Sequence, residues 1–376
     1  MKVKSIAIII LLFLFQINSE VYALEIGEDI DVDNFLSSAK EYASEVFPEI
    51  KTEDVLEKII NGSLFEDENL VQKILGIFTK EIKTSLSLVL KIISVSILCS
   101  LLKNIQSHNE SSVGEVAFYI CYLFVVTLVI NSYVEIATLC SDTMTKLNDF
   151  MNILTPLILS LLVANGSIAS VTIMQPVLIL MTSLTNTLIT KIILPIIFIS
   201  MVINIIGNIS ENIDVSKLPS ILQKTSVWTV NFILGIFIGI LSLEGTLAAN
   251  VDGLTAKTAK TVVSTVIPVV GKALSDATDS IIGAASITKN ALGIVGVIAI
   301  VGIVCVPIIK ALVMMFIYNI SAALVEPLVD KRMSKCIADA GNAIKIIFAL
   351  MSTVSILFII SITLMIKVGN FTIMYR

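Results

Sequence analysis

The stretch LGIVGVIAIVGIVCVPIIKALVMMFI, Leu292–Ile317, decides the class of fold to which this chain belongs. It is almost wholly apolar and exceeds the ~20 residues that a helix needs to cross a bilayer. The composition agrees, because 56% of the 376 residues are hydrophobic, 15% are charged and the mean hydropathy is +0.96. Soluble domains carry about 25% charged residues. The sequence therefore predicts an all-α, polytopic integral membrane protein.

Apolar segments recur along the chain, and two of them are short. The predicted spans are Leu86–Leu102, Val116–Val134, Met151–Val163, Val177–Leu188, Ile192–Ile209, Val227–Leu247, Leu292–Ile317 and Ile346–Ile366. Met151–Val163 and Val177–Leu188 are too short to cross alone, and the helix breakers of ANGSIASVTIMQP lie between them. We expect a re-entrant or broken-helix hairpin across Met151–Leu188, and six to eight crossings in total.

The N-terminus has the layout of a secretory signal peptide over residues 1–23. It combines two lysines with the apolar run Ile6–Phe15 and a small residue, Ala23, at the predicted cleavage point; a retained anchor is the alternative. Residues 24–83 follow with 15 acidic and 6 basic residues, a net charge of −9. We expect this acidic segment to be exported and to form short amphipathic helices, one capped by Asp33, one over Thr52–Ile60 and one from about Asn69. Either this segment packs against the membrane domain (84–376) or a partner protein, or it is a solvated segment that precedes the membrane domain.

Basic residues indicate the orientation. An exported N-terminus sends the first span from outside to inside, which leaves Lys103 on the cytoplasmic side, as the positive-inside rule asks. The densest basic cluster, DKRMSK at Asp330–Lys335, is expected on the same side.

Ionisable residues also fall within or beside the apolar runs: Lys91, Lys191, Glu244, Lys310 and Glu326. Charges at membrane depth indicate a substrate pathway or a buried ion pair, unless the side chain is close enough to an interface to snorkel. Lys310 is the strongest candidate, because it follows Pro307 in the middle of the longest apolar run.

A second informative stretch is TAKTAKTVVSTVIPVVGKALSDATDSIIGAASITKNALG, Thr255–Gly293. Its polar residues recur every three or four positions, which predicts a helical stripe, and Pro268 with Gly271 predicts a break into two amphipathic halves. The stripe comprises Lys257, Lys260, Ser264, Lys272, Asp276, Asp279, Ser286 and Asn290. It could lie in the membrane interface, pack among helices, or line a water-filled passage.

Signatures of catalysis are missing. The sequence has no P-loop, no H-E-x-x-H, no G-x-S-x-G and no dinucleotide-binding G-x-G-x-x-G. A single histidine, His108, excludes a histidine-rich metal site, and the weakly acidic balance of −5 gives no sign of nucleic-acid binding. We predict a protein that is not an enzyme and uses no cofactor.

Two stretches resemble the stage III sporulation protein AE family: Thr255–Val297, with its Asp-Ala-Thr-Asp block, and the terminal VGNFTIMYR, Val368–Arg376. The resemblance implies a protein of endospore-forming bacteria, made in the mother cell and placed in the membrane that becomes the outer forespore membrane. Its implied partners are other proteins of the same operon, including a secretion-type ATPase, and a forespore-side membrane protein. Residues 24–83 would occupy the space between the two membranes.

The function that this resemblance implies is a part in the mother cell–forespore channel, or feeding tube. The polar stripe would then contribute to the conduit. The alternative is a non-conducting scaffold of the same secretion-like complex, with the stripe as helix packing. A secondary transporter is a third interpretation, suggested by broken helices and charges near the midplane, although no internal repeat supports it.

Overall fold

The computed structural model describes the backbone of residues 32–44, 68–106, 113–209, 217–266 and 270–374. Within these ranges every regular element is a helix. The elements are α1 (Val32–Ser44), α2 (Glu68–Gln106), α3 (Val113–Ala164), α4 (Ile168–Leu188), a π-helical turn (Ile189–Ile193), α5 (Leu194–Ile209), α6 (Lys217–Val266), α7 (Val270–Val325) and α8 (Lys331–Met374). The predicted signal peptide and the stretch Thr52–Ile60, predicted to be helical, lie outside the described residues.

Six helical stretches among the described residues are long and apolar enough to cross a membrane. They are Gln72–Leu101, Phe118–Ala164, Ile168–Ile209, Lys217–Leu243, Ile282–Val325 and Lys331–Val368. The chain is therefore a multi-pass, all-helical membrane protein, at the lower end of the predicted six to eight crossings.

Four of the eight predicted apolar spans merge in pairs, which leaves six helical stretches. Val116–Val134 and Met151–Val163 both lie on the single helix α3. Val177–Leu188 and Ile192–Ile209 lie on one helical run, in which the π-helical turn joins α4 to α5 without a loop. The polar residues between Val116–Val134 and Met151–Val163 keep their helical backbone hydrogen bonds, so they belong to α3 and form no loop.

The predicted hairpin is confirmed at its tip. α3 ends in a Schellman motif: Ser167 N–H donates to Leu162 O (2.9 Å) and Gly166 N–H donates to Val163 O (2.8 Å). Gly166 adopts φ 79°, the left-handed conformation that this motif requires. The chain then reverses into α4, so the breakers of the sequence act at Asn165–Ser167. The two arms are longer than predicted.

The centre of the bundle is formed by α7 and α8. Half (50%) of the most apolar stretch of each is buried, against 28% for α2 and α6. Small residues allow the close approach. A Cβ on Gly293 would overlap the side chain of Ile366 in α8, and one on Gly296 would lie 2.7 Å from Leu154 Cδ2 in α3. These two glycines thus allow α7 to pack closely between α3 and α8.

The acidic N-terminal segment contributes one described helix that packs on the bundle. In α1, Phe35 is fully buried and its ring lies 5.8 Å from that of Phe150 in α3, while Tyr42 packs edge-on against the same ring at 6.0 Å. Burial, with the nearby Glu41 and Asp149 carboxylates, raises the pKa of Tyr42. The other described helix of this segment, predicted from Asn69, begins at Glu68 and runs without a break into the first span as α2.

One end of the bundle gathers the start of α3, the end of α5 and the start of α8. Arg332 donates to Ile209 O (3.3 Å) and its guanidinium lies 5.7 Å from the Phe118 ring. Tyr122 donates to Ile205 O (2.9 Å), and Asn208 donates to Asp339 (3.0 Å). The basic cluster Asp330–Lys335 therefore marks this end, which we call the basic end; the hairpin tip lies at the opposite end.

Candidate functional site

The predicted polar stripe is divided between two helices, as expected. Its first half lies on α6, which ends at Val266, and its second half on α7, which begins at Val270. The structure describes side chains for only part of these helices. Lys257, Lys260, Ser264, Lys272, Asp276 and Asp279 lie outside that part.

At its described end the stripe turns into the protein. Ser286 is buried and Asn290 is half-buried, whereas Ile287 beside them is 72% exposed. Ser286 Oγ and Asn290 Oδ1 are both shielded from solvent and have no hydrogen-bond partner among the described residues. This end of the stripe is therefore a polar part of the helix packing rather than an exposed surface.

Lys289 lies on the same buried side of α7 and was missed by the sequence analysis. It is fully buried, and its Nζ donates a hydrogen bond to the backbone carbonyl of Ile366 in α8 (2.8 Å). The signal was present, because Lys289 follows Ser286 by three residues and so shares its helix face. The spacing count placed the stripe on Ser286 and Asn290 and passed over it. The lysine ties α7 to α8 one turn from Gly293.

Lys310 forms an ion pair between two membrane helices, α7 and α3. Its Nζ lies 2.7 Å from Glu135 Oε1 on α3, with the two side chains 29% and 54% exposed. The predicted alternatives were a pathway or a buried pair, and the structure shows a pair that is partly exposed rather than buried. Glu135 was not singled out, although it directly follows the apolar segment Val116–Val134.

Among the described residues, the candidates Lys91, Lys191 and Glu326 form no comparable pair. Lys91 and Lys191 are exposed on α2 and on the π-helical turn, and Glu326 is exposed in the turn between α7 and α8. The side chain of Glu244 lies outside the part of α6 whose side chains are described.

Asp252 holds the hairpin tip and gave no sequence signal. Its carboxylate is buried and accepts hydrogen bonds from Ala169 N–H (2.8 Å), Ser170 N–H (3.0 Å) and the Ser170 hydroxyl (2.6 Å). These groups belong to the first turn of α4, where the unpaired N–H groups and the helix dipole favour an anion. Asp252 thus acts as an N-terminal cap supplied from α6, a distant helix that sequence spacing does not reveal.

A longer polar surface runs along the outer side of α3, and we call it the α3 polar face. It comprises Asn131, Glu135, Thr138, Asp142, Lys146 and Asp149. All six are exposed, and they recur every three or four residues, the spacing of one helix face. The sequence could have revealed it, since NSYVEIATLCSDTMTKLND (Asn131–Asp149) carries the pattern. The stretch was instead taken for the gap between two spans.

The polar contacts that described side chains make between helices include the Asp252 cap, the Lys289 contact and the Glu135–Lys310 pair. Within the described residues no group of three or more His, Cys, Asp or Glu side chains is arranged to hold a metal ion. The fold and these contacts define a multi-pass helical membrane protein with polar groups set into its membrane helices.

Comparison with known proteins identifies the family. The family model for stage III sporulation protein AE (Spore_III_AE) matches residues 50–369, and the chain belongs to this family. Stage III sporulation protein AE of Bacillus subtilis (strain 168) is 30% identical over 332 residues, covering 88% of this chain and 83% of that protein. No solved structure matches the chain.

Proposed function

We propose that this chain is a membrane subunit of the channel complex that connects the mother cell with the forespore. The observation that carries the proposal is the family match over residues 50–369, which supports a role in sporulation. In this role the chain lies in the mother-cell membrane that becomes the outer forespore membrane. Other membrane proteins of the same operon, their ATPase and a forespore-side membrane protein are its partners.

The orientation in this proposal has the basic end in the mother-cell cytoplasm. Lys331, Arg332 and Lys335 gather there, and Lys103 lies near the C-terminus of α2. With six crossings, the N-terminal acidic segment, including α1, then occupies the intermembrane space. A cleaved signal peptide over residues 1–23 belongs to the same proposal.

Deletion of the gene in the endospore-forming bacterium that encodes the chain tests the role. We expect loss of heat-resistant spores and of late forespore gene expression, both restored by a second copy of the gene. Normal spore yield in the deletion strain would contradict the proposal. Deleting residues 24–67, the part of the acidic segment that precedes α2, should also release a partner from co-purification, and unchanged recovery would remove the docking role of that part.

The described part of the stripe favours a second candidate, a non-conducting scaffold of the same complex. Ser286, Lys289 and Asn290 turn towards the interior of the single chain, as packing groups do. Cysteine-accessibility scanning from Lys257 to Asn290, in a version without the five native cysteines, separates the two candidates. Labelling by an impermeant reagent along the whole stripe, dependent on partner proteins, supports a conduit. No labelling supports the scaffold.

Two substitutions test the part of the stripe on α7 whose side chains the structure does not describe. If it faces water, Asp276→Leu or Asp279→Leu should impair forespore development at a normal protein level, because each removes a charge from a wetted surface. A variant that disappears from the membrane would indicate a packing role instead. Immunoblots of membrane fractions beside spore counts make the distinction.

A further inference from the structure

The α3 polar face is an exposed polar surface on a candidate membrane helix, and neither the family match nor the predicted stripe explains it. From Asn131 to Asp149 it covers about 27 Å at 1.5 Å per residue. It contains acidic and basic residues, and all of its members are exposed in the single chain.

The opposite side of the bundle is largely apolar at the same height, apart from the exposed Lys191 of the π-helical turn. Tyr133 donates a hydrogen bond to Leu194 O (2.7 Å) and packs on Phe198, which places this part of α3 level with the start of α5. There α5 and the π-helical turn expose Ile199 (52%) and Ile192 (48%). At 100° per residue, Glu135 and Asp142 lie about 200° and 180° around α3 from Tyr133. One side of the bundle thus suits lipid and the other does not.

The bilayer cannot be positioned so that the α3 polar face avoids its apolar core. A core of about 30 Å takes up about 20 residues of a helix. If it starts at Val116, close to the beginning of α3, it still includes Asn131 and Glu135. If it starts further along, it takes in more of the charges, up to Asp149. Since polar and charged side chains do not face hydrocarbon, this side of α3 must face water or protein.

The charges favour a second copy of this chain as the neighbour. Acidic residues recur every seventh position, at Glu135, Asp142 and Asp149, while Lys146 lies between the last two. Lys310 of α7 adds a second cation beside Glu135. Copies inserted in the same direction hold these groups at matching heights. Lys146 of one copy and Asp142 of the next then differ in height along the helix axis by about one helical turn, roughly 6 Å.

We propose that copies of this chain associate side by side through the edges of the α3 polar face, with the centre of that face turned towards a shared water-filled passage. This inference rests on the proposed function, because it names the surface by which the subunit lines the conduit. The packed end of the predicted stripe, at Ser286–Asn290, then supports the lining helix from behind.

Charge reversal between copies tests the association. Asp142→Lys and Lys146→Asp are made separately in full-length protein carrying two different epitope tags. Each variant alone is expected to lose most co-purification of the differently tagged copy, and co-expression of the two variants should restore it. A pair within one helix cannot be restored in this way. The control Lys224→Asp, an exposed reversal on α6, should leave co-purification unchanged.

Several outcomes would overturn the inference: an unaltered chain that does not self-associate, single variants that associate normally, or co-expression without recovery. Spore yield is scored in the same strains. Loss of self-association with normal spores rejects this inference and leaves the proposed function standing. Normal spores in the deletion strain reject the proposed function itself.

Thiol labelling tests the water-filled passage. Single cysteines replace Asn131 or Thr138 in the cysteine-free version, and Ile192, on the apolar side at equal height, is the matched control. An impermeant reagent should modify the first two about tenfold faster, because a thiol in lipid stays protonated and unreactive. Equal rates at the three positions would overturn the assignment of this face to water.

Discussion

At the scale of single residues, the Asp252 carboxylate holds the hairpin tip against α6. Asp252→Ala removes the acceptor of two backbone N–H groups and one hydroxyl at the start of α4. Because bonds to a charged acceptor are the stronger kind, we expect a loss of about 2–3 kcal/mol in the free energy of unfolding. Thermal unfolding of the purified protein in detergent measures it.

The control for this change is Thr172→Ala, on the same turn of α4. Thr172 is exposed and its hydroxyl bonds only back to Ile168 O within the described contacts, so its removal should change stability by under about 0.5 kcal/mol. Equal losses of stability in the two variants would show that the Asp252 hydrogen bonds do not stabilise the hairpin tip.

Gly166 shows how one backbone angle sets the hairpin. Any residue with a Cβ is strained at φ 79°, and we expect Gly166→Ala to destabilise the protein by about 1–2 kcal/mol. Gly76→Ala is the comparison, since a Cβ there meets no atom within 4 Å and alanine favours the helix. A melting temperature lowered by Gly76→Ala but unchanged by Gly166→Ala would contradict this reading of the turn.

The Glu135–Lys310 pair is stabilising only while both charges are present. Glu135→Gln or Lys310→Met leaves one charge without its partner near the membrane core, and because both side chains are partly exposed we expect a loss of about 1–2 kcal/mol for each. The double variant should recover most of it. The fraction of each variant that stays soluble in detergent extracts of membranes is measured as the temperature rises. Additive losses in the double variant would exclude coupling between the two charges.

At the scale of helices, glycine on α7 sets the distance to α8. A Cβ on Gly293 overlaps Ile366, so Gly293→Ala should cost about 1–3 kcal/mol through overpacking. Shortening the partner in the double variant Gly293→Ala/Ile366→Val should restore part of the stability. Gly283→Ala, ten residues earlier on α7 with open space around its Cβ, should have no such cost.

The helices also show which sequence signals are reliable in this chain. The hairpin tip was predictable, because Asn-Gly-Ser lets the backbone take a positive φ. Pro156, Pro176 and Pro307, by contrast, lie inside continuous helices, since a membrane helix tolerates proline where neighbouring groups satisfy the freed carbonyl. Counting apolar runs therefore gave too many segments.

The candidate site was only partly predictable, for a related reason. Lys310 could be found because one charge stands out in an apolar run. Its partner Glu135, the Asp252 cap and the Lys289 contact each depend on a residue far away in the chain, and one sequence does not show such pairings. The α3 polar face could be recognised from its polar residues at every third or fourth position, but it falls between two predicted spans because its hydropathy is low.

At the scale of the whole molecule, the six spans fix the sides on which the helix ends lie. The basic end carries Lys331, Arg332 and Lys335, so we expect it in the cytoplasm, with α1 and the end of α8 exported. Alkaline phosphatase, active only outside the cytoplasm, should be active when fused after Met374 and inactive when fused after Arg332. The reverse pattern would invert the orientation, and activity at neither position would require an odd number of crossings. The reverse pattern would also place α1 and its contact with Phe150 on the cytoplasmic side, and the assignment of the acidic segment to the intermembrane space would then fail.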